Sequence, residues 1–158
     1  MKVKKFTKRN ELGFTLVELM VVVTIIGILL VLLLPRMTLL MDRSREKTTH
    51  KNLKSIKLAI DSYSERTDGG YNYPTAKDDL KQVLEEKFSG SVPRAVLKLG
   101  SGIPASSECE LAGSVTDIPV GNNGGWVFIT AGPDRGNVYV NSTAFDTNQN
   151  PYTTYSCW

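Results

Sequence analysis

Arg9-Asn10-Glu11-Leu12-Gly13-Phe14-Thr15-Leu16-Val17-Glu18 leads into an apolar run of Val, Ile and Leu that continues to Leu34, and this junction decides the fold. At about 1.5 Å of helical rise per residue, residues 14–34 reach roughly 31 Å, close to the thickness of a bilayer's hydrocarbon core. One ionisable side chain, Glu18, lies within the run. At mid-bilayer a charge costs about 2.5–3.5 kcal/mol by insertion scales, and less near the end of a span, so a partner is expected for it. A cleaved secretory signal fails on length. Its apolar core is about 7–15 residues before a small-residue cleavage site, whereas Pro35-Arg36-Met37-Thr38-Leu39 follows a longer run here.

The Lys-rich leader, Gly13, and then Phe14-Thr15-Leu16-Val17-Glu18 in fixed register resemble the class III signal of type IV prepilins and of the pseudopilins of type II secretion. The resemblance implies an α+β, type IV pilin-like fold: a long N-terminal α-helix, the membrane stem, packed against a small antiparallel β-sheet. It also implies cleavage between Gly13 and Phe14 by a membrane aspartyl peptidase on the cytoplasmic side, and N-methylation of Phe14 by the same enzyme. Glycine suits a protease subsite, since a residue without a side chain lets the backbone extend and approach catalytic groups. Cleavage leaves an amine on Phe14, four residues from Glu18 and on the same helix face. Opposite charges attract more strongly where the dielectric is low. Glu18 is therefore expected to pair with the Phe14 amine of an adjacent protomer and fix the register of assembly, in preference to snorkelling toward headgroups.

Gly27 and Pro35 extend the likeness, because filament-forming members often carry helix breakers near these positions and unwind between them. Glycine costs about 1 kcal/mol and proline about 3 kcal/mol in a helix interior, and Pro35 leaves the Val31 carbonyl without its usual donor. Local unwinding and a simple kink or stop at the membrane surface are equally compatible with these residues.

The 158 residues have room for one membrane helix and one small domain. The expected organisation is a leader over 1–13, a transmembrane and filament-core helix over 14–35, its amphipathic continuation over 36–68, and a globular head over 69–158. The precursor's pI near 8.8 is a property of the leader. Losing residues 1–13 removes five basic residues and one acid, so 19 Lys and Arg against 16 Asp and Glu become 14 against 15. No specific nucleic-acid binding is expected from a net side-chain charge of −1. Charge is uneven along the chain: residues 36–66 hold eight basic and four acidic residues, while from residue 99 onward Arg135 alone opposes five acids. Lateral packing in a polymer and a solvated helix face both account for this, and the solvated face is preferred.

Basic residues flank the span on both sides, so orientation rests on the leader resemblance. It places the precursor in the inner (cytoplasmic) membrane with the head outside the cytoplasm. In an exported head, Cys109 and Cys157, with no metal-ligand spacing around either, read as a disulfide closing a loop of roughly 48 residues, worth about 4 kcal/mol in the chain-entropy model.

Beyond the span, Leu53, Ile56, Ile60 and Tyr63, with Ala59 between them, recur at helical spacing and predict a buried stripe. Gly69-Gly70 should end that helix. Thr75 with Asp78 resembles a capping box ahead of a short helix to about Phe88, with Leu80, Val83, Leu84 and Phe88 inward. Residues 92–97 and 115–120 are candidate short strands in a Gly-, Ser- and Pro-rich stretch. The strongest strand signal is Trp126-Val127-Phe128-Ile129-Thr130, a hairpin partner for Val138-Tyr139-Val140. Trp126 and Phe128 are the expected inward pair, since aromatics bury more area.

No catalytic constellation is present; the sole histidine, His50, is expected in solvent, and no enzymatic activity is expected. Asp146, Asn148 and Asn150 alternate like the first ligands of a calcium loop, yet Pro151 replaces the required glycine and no glutamate follows at the right distance. An Asx-rich turn and no cofactor are the preferred reading, with calcium kept as the alternative because major pseudopilins bind it in their C-terminal loops. Asn141-Ser142-Thr143 fits a glycosylation acceptor, a triplet common by chance. Tyr71 with Tyr73 and Tyr152 with Tyr155 read as loop packing before surface adhesion.

The function expected is that of a type IV pilus subunit, a helical homopolymer of this chain, which leaves lipid by packing its N-terminal helix with other copies. A pseudopilin of a type II secretion or competence system is the alternative, and a non-polymerising anchored binding protein a third. Implied partners are the prepilin peptidase, an inner-membrane assembly platform, a cytoplasmic ATPase and, before assembly, membrane lipid. The product is an extracellular pilus or a periplasmic pseudopilus.

Overall fold

The computed structural model describes residues 13–64 and 73–156. Their elements are α1 (Leu16–Ser64), α2 (Lys77–Lys87), β1 (Cys109–Ala112), β2 (Trp126–Ile129) and β3 (Val138–Val140), with single 3-10 turns at Leu99–Ser101, Val115–Asp117 and Tyr152–Thr154. They fall into two compact units, divided after Thr38.

Among the described residues, the first unit carries the apolar part of α1, in which every residue is exposed. Val and Ile are mediocre helix formers in water. In lipid, however, each backbone N–H and C=O must be satisfied internally, and a helix does this for a single segment. Pro35 sits inside α1, so the helix is neither stopped nor unwound between Gly27 and Pro35.

In the second unit, the outer half of α1 covers one face of the sheet. Leu53, Ile56, Ala59 and Ile60 form the expected stripe and pack with Trp126, Phe128, Val138 and Val140, so the aromatic pair does point inward. Burial of each such side chain stabilises by about 1.5–3 kcal/mol. Tyr63 departs from expectation: it is 40% exposed, although its neighbour Ser64 is buried. The described helix ends at Ser64, and the Gly69-Gly70 stop and Tyr71 lie outside the described residues. α2 forms where expected, with Leu80, Val83 and Leu84 buried and Phe88 against the core. Its N-cap is Ala76, which has no side-chain cap, so the Thr75 and Asp78 capping box does not form.

The sheet order is β1-β2-β3, and here the structure corrects the expectation of a purely antiparallel sheet. β2 and β3 are the antiparallel hairpin, with Trp126 opposite Val140 and Phe128 opposite Val138, but β1 runs parallel to β2, Cys109 opposite Trp126. A parallel neighbour needs a crossover of about a dozen residues, and residues 113–125 supply it. Close approach at its end requires Gly125, where a Cβ would lie 2.2 Å from the Glu108 carbonyl oxygen. Neither candidate strand formed as drawn: Ala95 makes a single bridge to Ser106, and Val115–Asp117 is a 3-10 turn with its own Ser114 and Asp117 capping box. The outer sheet face carries Ala112, Val127, Ile129 and Tyr139, covered by Val115, Ile118 and Val120.

Candidate functional site

Gly13 and Phe14 precede α1 in non-helical backbone, and Phe14 is 75% exposed. Thr15 is the first capping residue. Its hydroxyl accepts from the Glu18 N–H (3.2 Å), while one Glu18 oxygen, Oε2, accepts from both the Thr15 N–H (3.0 Å) and the Thr15 hydroxyl (2.8 Å). This is a reciprocal capping box, which satisfies N–H groups a helix start leaves orphaned. The Gly13 to Phe14 peptide bond is thereby left outside the helix, between two exposed residues. Sequence reasoning gave Glu18 only a partner in another protomer. The Thr-x-x-Glu spacing was the signal for this second, intramolecular role.

Gly27 has nothing within 4 Å of where a Cβ would stand, so this helix face is open to close approach by another helix. Thr24 and Thr38 turn their hydroxyls back onto the Met20 and Pro35 carbonyls (2.7 and 3.0 Å), hiding polar groups from an apolar surround.

A second polar centre joins α1 to the C-terminal loop. Glu46, 6% exposed, accepts from the Thr147 N–H (2.7 Å), the Thr147 hydroxyl (2.8 Å) and the Tyr152 hydroxyl (3.2 Å). The Tyr152 oxygen in turn accepts from the Lys98 N–H (3.1 Å). Nothing in the sequence marked Glu46 among the helix's other charges. Asp146, 3% exposed, closes an Asx-rich turn: Oδ1 accepts from the N–H groups of Asn148 (2.7 Å) and Asn150 (2.8 Å), and Oδ2 from the Asn150 amide (3.3 Å) and the Tyr155 hydroxyl (2.9 Å). Burial alone pushes the Asp146 carboxyl upward, but the hydrogen bonds from Asn150, Tyr155 and Asn148 together hold it below its usual value. Both oxygens are thus engaged by N–H and O–H donors, and Asn148 and Asn150 are exposed. Burial first, and the neighbouring carboxylates after it, push the Tyr152 and Tyr155 phenols well above their usual range, so both remain donors. His50 is exposed as expected and stacks on the Tyr155 ring at 3.9 Å. Both C-terminal tyrosines pack inward, and Asn141 and Ser142 are fully buried, which removes that triplet as a glycan acceptor.

Cys109 is a free, buried thiol whose Sγ donates to the Ser107 carbonyl at 3.7 Å. Burial, with the Lys77 charge lowering it and Glu110 raising it, pushes the thiol up to about 12. The expected partner of Cys109, Cys157, lies outside the described residues. Ser156, the last described residue, pairs with Tyr139 at the edge of β3 away from β2.

Residues 8–34 match the prokaryotic N-terminal methylation motif. The type IV major pilin protein PilA of Myxococcus xanthus is 41% identical over 121 residues, 76% of this chain and 49% of that protein. The type II secretion system core protein G of Pseudomonas aeruginosa is 31% identical over 87 residues, 55% of this chain and 59% of its own length. The core protein G of Aeromonas hydrophila is 30% identical over 88 residues, 56% and 59% of the two chains. The chain therefore spans about half of the curated relatives it matches, and no solved structure matches it.

Proposed function

We propose that this chain, which carries the N-terminal methylation motif and is homologous to a type IV pilin and to type II secretion pseudopilins, is a filament subunit precursor. It is cleaved after Gly13, N-methylated on Phe14 and polymerised through α1 into a type IV pilus. The observation that carries this is the bare apolar helix: from Phe14 to Leu34 every large apolar side chain is at least 43% exposed. Such a surface must be covered by lipid or, once it leaves lipid, by the same surface of other copies. The role is structural and self-associating. A prepilin peptidase, an inner-membrane platform and a cytoplasmic ATPase are the partners it needs, and the inner membrane is the station before export.

Cleavage sets Glu18 two tasks. Before it, the carboxylate caps the helix through Thr15; after it, a new cation on Phe14 appears on the same helix face. Transfer of Glu18 toward the Phe14 amine of a neighbour neutralises both charges in the apolar filament core and fixes the stagger of the helices. Pilus rather than pseudopilus is favoured by the match to the pilin, which runs over more of this chain at higher identity. Two separate relatives named core protein G keep the pseudopilin as the second reading.

Mass spectrometry of the native protein tests processing: the expected mature mass begins at Phe14, with or without one methyl, and a retained leader refutes the proposal. Gene deletion separates the two readings, since loss of surface fibres supports the pilus, whereas intact fibres with failed protein export support the pseudopilus.

A further inference from the structure

Arg43, Lys47, Lys51 and Lys54 recur at three- and four-residue spacing along α1 in the second unit, so they stack on one helix face. All four are exposed and none forms an ion pair among the described residues. Leu40 and Leu58, 58% and 61% exposed, flank the row on the same face. The buried residues Thr49, Leu53, Ile56 and Ile60 take the opposite face. Like charges one turn apart repel, so the protomer alone gains nothing from this arrangement.

The opposite charge lies on the other side of the sheet. α1 covers the face bearing Trp126 and Phe128, while the outer face is covered by Val115, Ile118 and Val120. The covering segment carries Asp117, which is exposed, and the β2 to β3 loop carries Asp134. Asp134 is close to the outer face: after burial, its charge is the next influence that pushes the Tyr139 phenol upward. Neither acid has an ion-pair partner among the described residues. Residues 39–64 hold six Lys and Arg against three acids, and residues 73–156 hold six against nine, so the two layers are of opposite sign.

We propose that the row formed by Arg43, Lys47, Lys51 and Lys54 docks on the Asp117 and Asp134 face of a second copy. The inference rests on the polymer reading above and adds which surfaces meet. Because the two patches lie on opposite layers of the unit, the contact is heterologous: each copy that uses its row still offers its acidic face to the next, and an open helical filament results. Leu40 and Leu58 supply an apolar seam beside the charges, which themselves govern register and encounter rate.

The test uses the full-length chain in cells that process it, with sheared filaments measured by immunoblotting. Lys47→Glu with Lys51→Glu is expected to lower filament yield by at least about tenfold, as is Asp134→Lys with Asp117→Asn, whose amide oxygen keeps the cap on Ser114. Combining the four changes is expected to restore yield to within about threefold of the wild type. Lys47→Gln with Lys51→Gln, which leaves no like-for-like repulsion to unfold anything, is expected to give an intermediate yield, and unchanged melting curves establish that each variant is folded. Wild-type yields from the reversed variants, or losses that the combination does not rescue, overturn the docking. Intact filaments with lost binding of the unassembled subunit to phosphatidylglycerol vesicles also overturn it, assigning the row to a lipid surface. A wild-type chain that is trimmed at Phe14 and never polymerises defeats the underlying reading as well.

Discussion

Replacing Glu46 isolates the geometry of the polar centre from its charge. Glu46→Ala strands three donors: the Tyr152 hydroxyl, in a fully buried side chain, and the N–H and hydroxyl of half-buried Thr147. A stranded buried donor costs about 1–3 kcal/mol, and relief of the carboxylate's own desolvation offsets part of this. The net loss should be about 3 kcal/mol, or a fall of about 12 °C in Tm for a domain of this size. Glu46→Gln is the informative contrast. Oε1 accepts from both the Thr147 N–H and the Tyr152 hydroxyl, and a glutamine carbonyl serves both equally. Its amide can donate to the Thr147 hydroxyl where Oε2 accepted from it. Its cost should stay below about 1 kcal/mol. Thermal unfolding of the full chain in detergent, followed by Trp126 fluorescence, reads the difference. Equal losses for the two variants would mean that charge, not hydrogen-bond geometry, holds the loop, and a loss under about 1 kcal/mol for alanine would mean the centre is not structural.

Two further outcomes follow from the titrating groups. The folded Asp146 carboxyl lies below its unfolded value, so its stabilisation is complete above the unfolded value, near 3.9, and is lost as pH falls through the lower folded value. Melts from pH 6 down to pH 2 should therefore decline steeply in the wild type and less in Asp146→Asn; parallel profiles would refute it. Cys109, with its thiol held at about 12, should resist iodoacetamide in the native chain and be alkylated after unfolding without reductant. Native labelling would contradict its burial, and labelling only after reduction would mean it is bridged.

The N-terminal helix, α2, the core stripe and the β2 to β3 hairpin were legible because each rests on a local periodicity or turn signal. β1 was not. Cys109-Glu110-Leu111-Ala112 is too short and too mixed in character to read as a strand, and its parallel pairing depends on a side-chain-free approach at Gly125, which no period reports. Glu46 and Thr49 looked like solvated helix residues, and only the loops that fold over them reveal their burial. The junction at Gly13, Phe14 and Glu18 was legible as a motif, whereas the capping box within it depends on the Thr15 hydroxyl three residues before Glu18, which the charge pattern does not report. The cysteine pairing was inferred from compartment alone, and no local pattern in the sequence reports it.

Three polar side chains of α1 grip the segment after α2 entirely by its main chain. The Leu99 N–H donates to Asp42 (2.9 Å), Thr49 both accepts from the Val96 N–H and donates to the Val96 carbonyl (2.8 Å each), and the Asn52 amide donates to the Arg94 carbonyl (2.9 Å). None of these links reads the identity of residue 94, 96 or 99. The helix thus behaves as a surrogate strand for this stretch, so the exposed side chains of Arg94 and Leu99 can be exchanged by mutation while the tether to α1 stays the same.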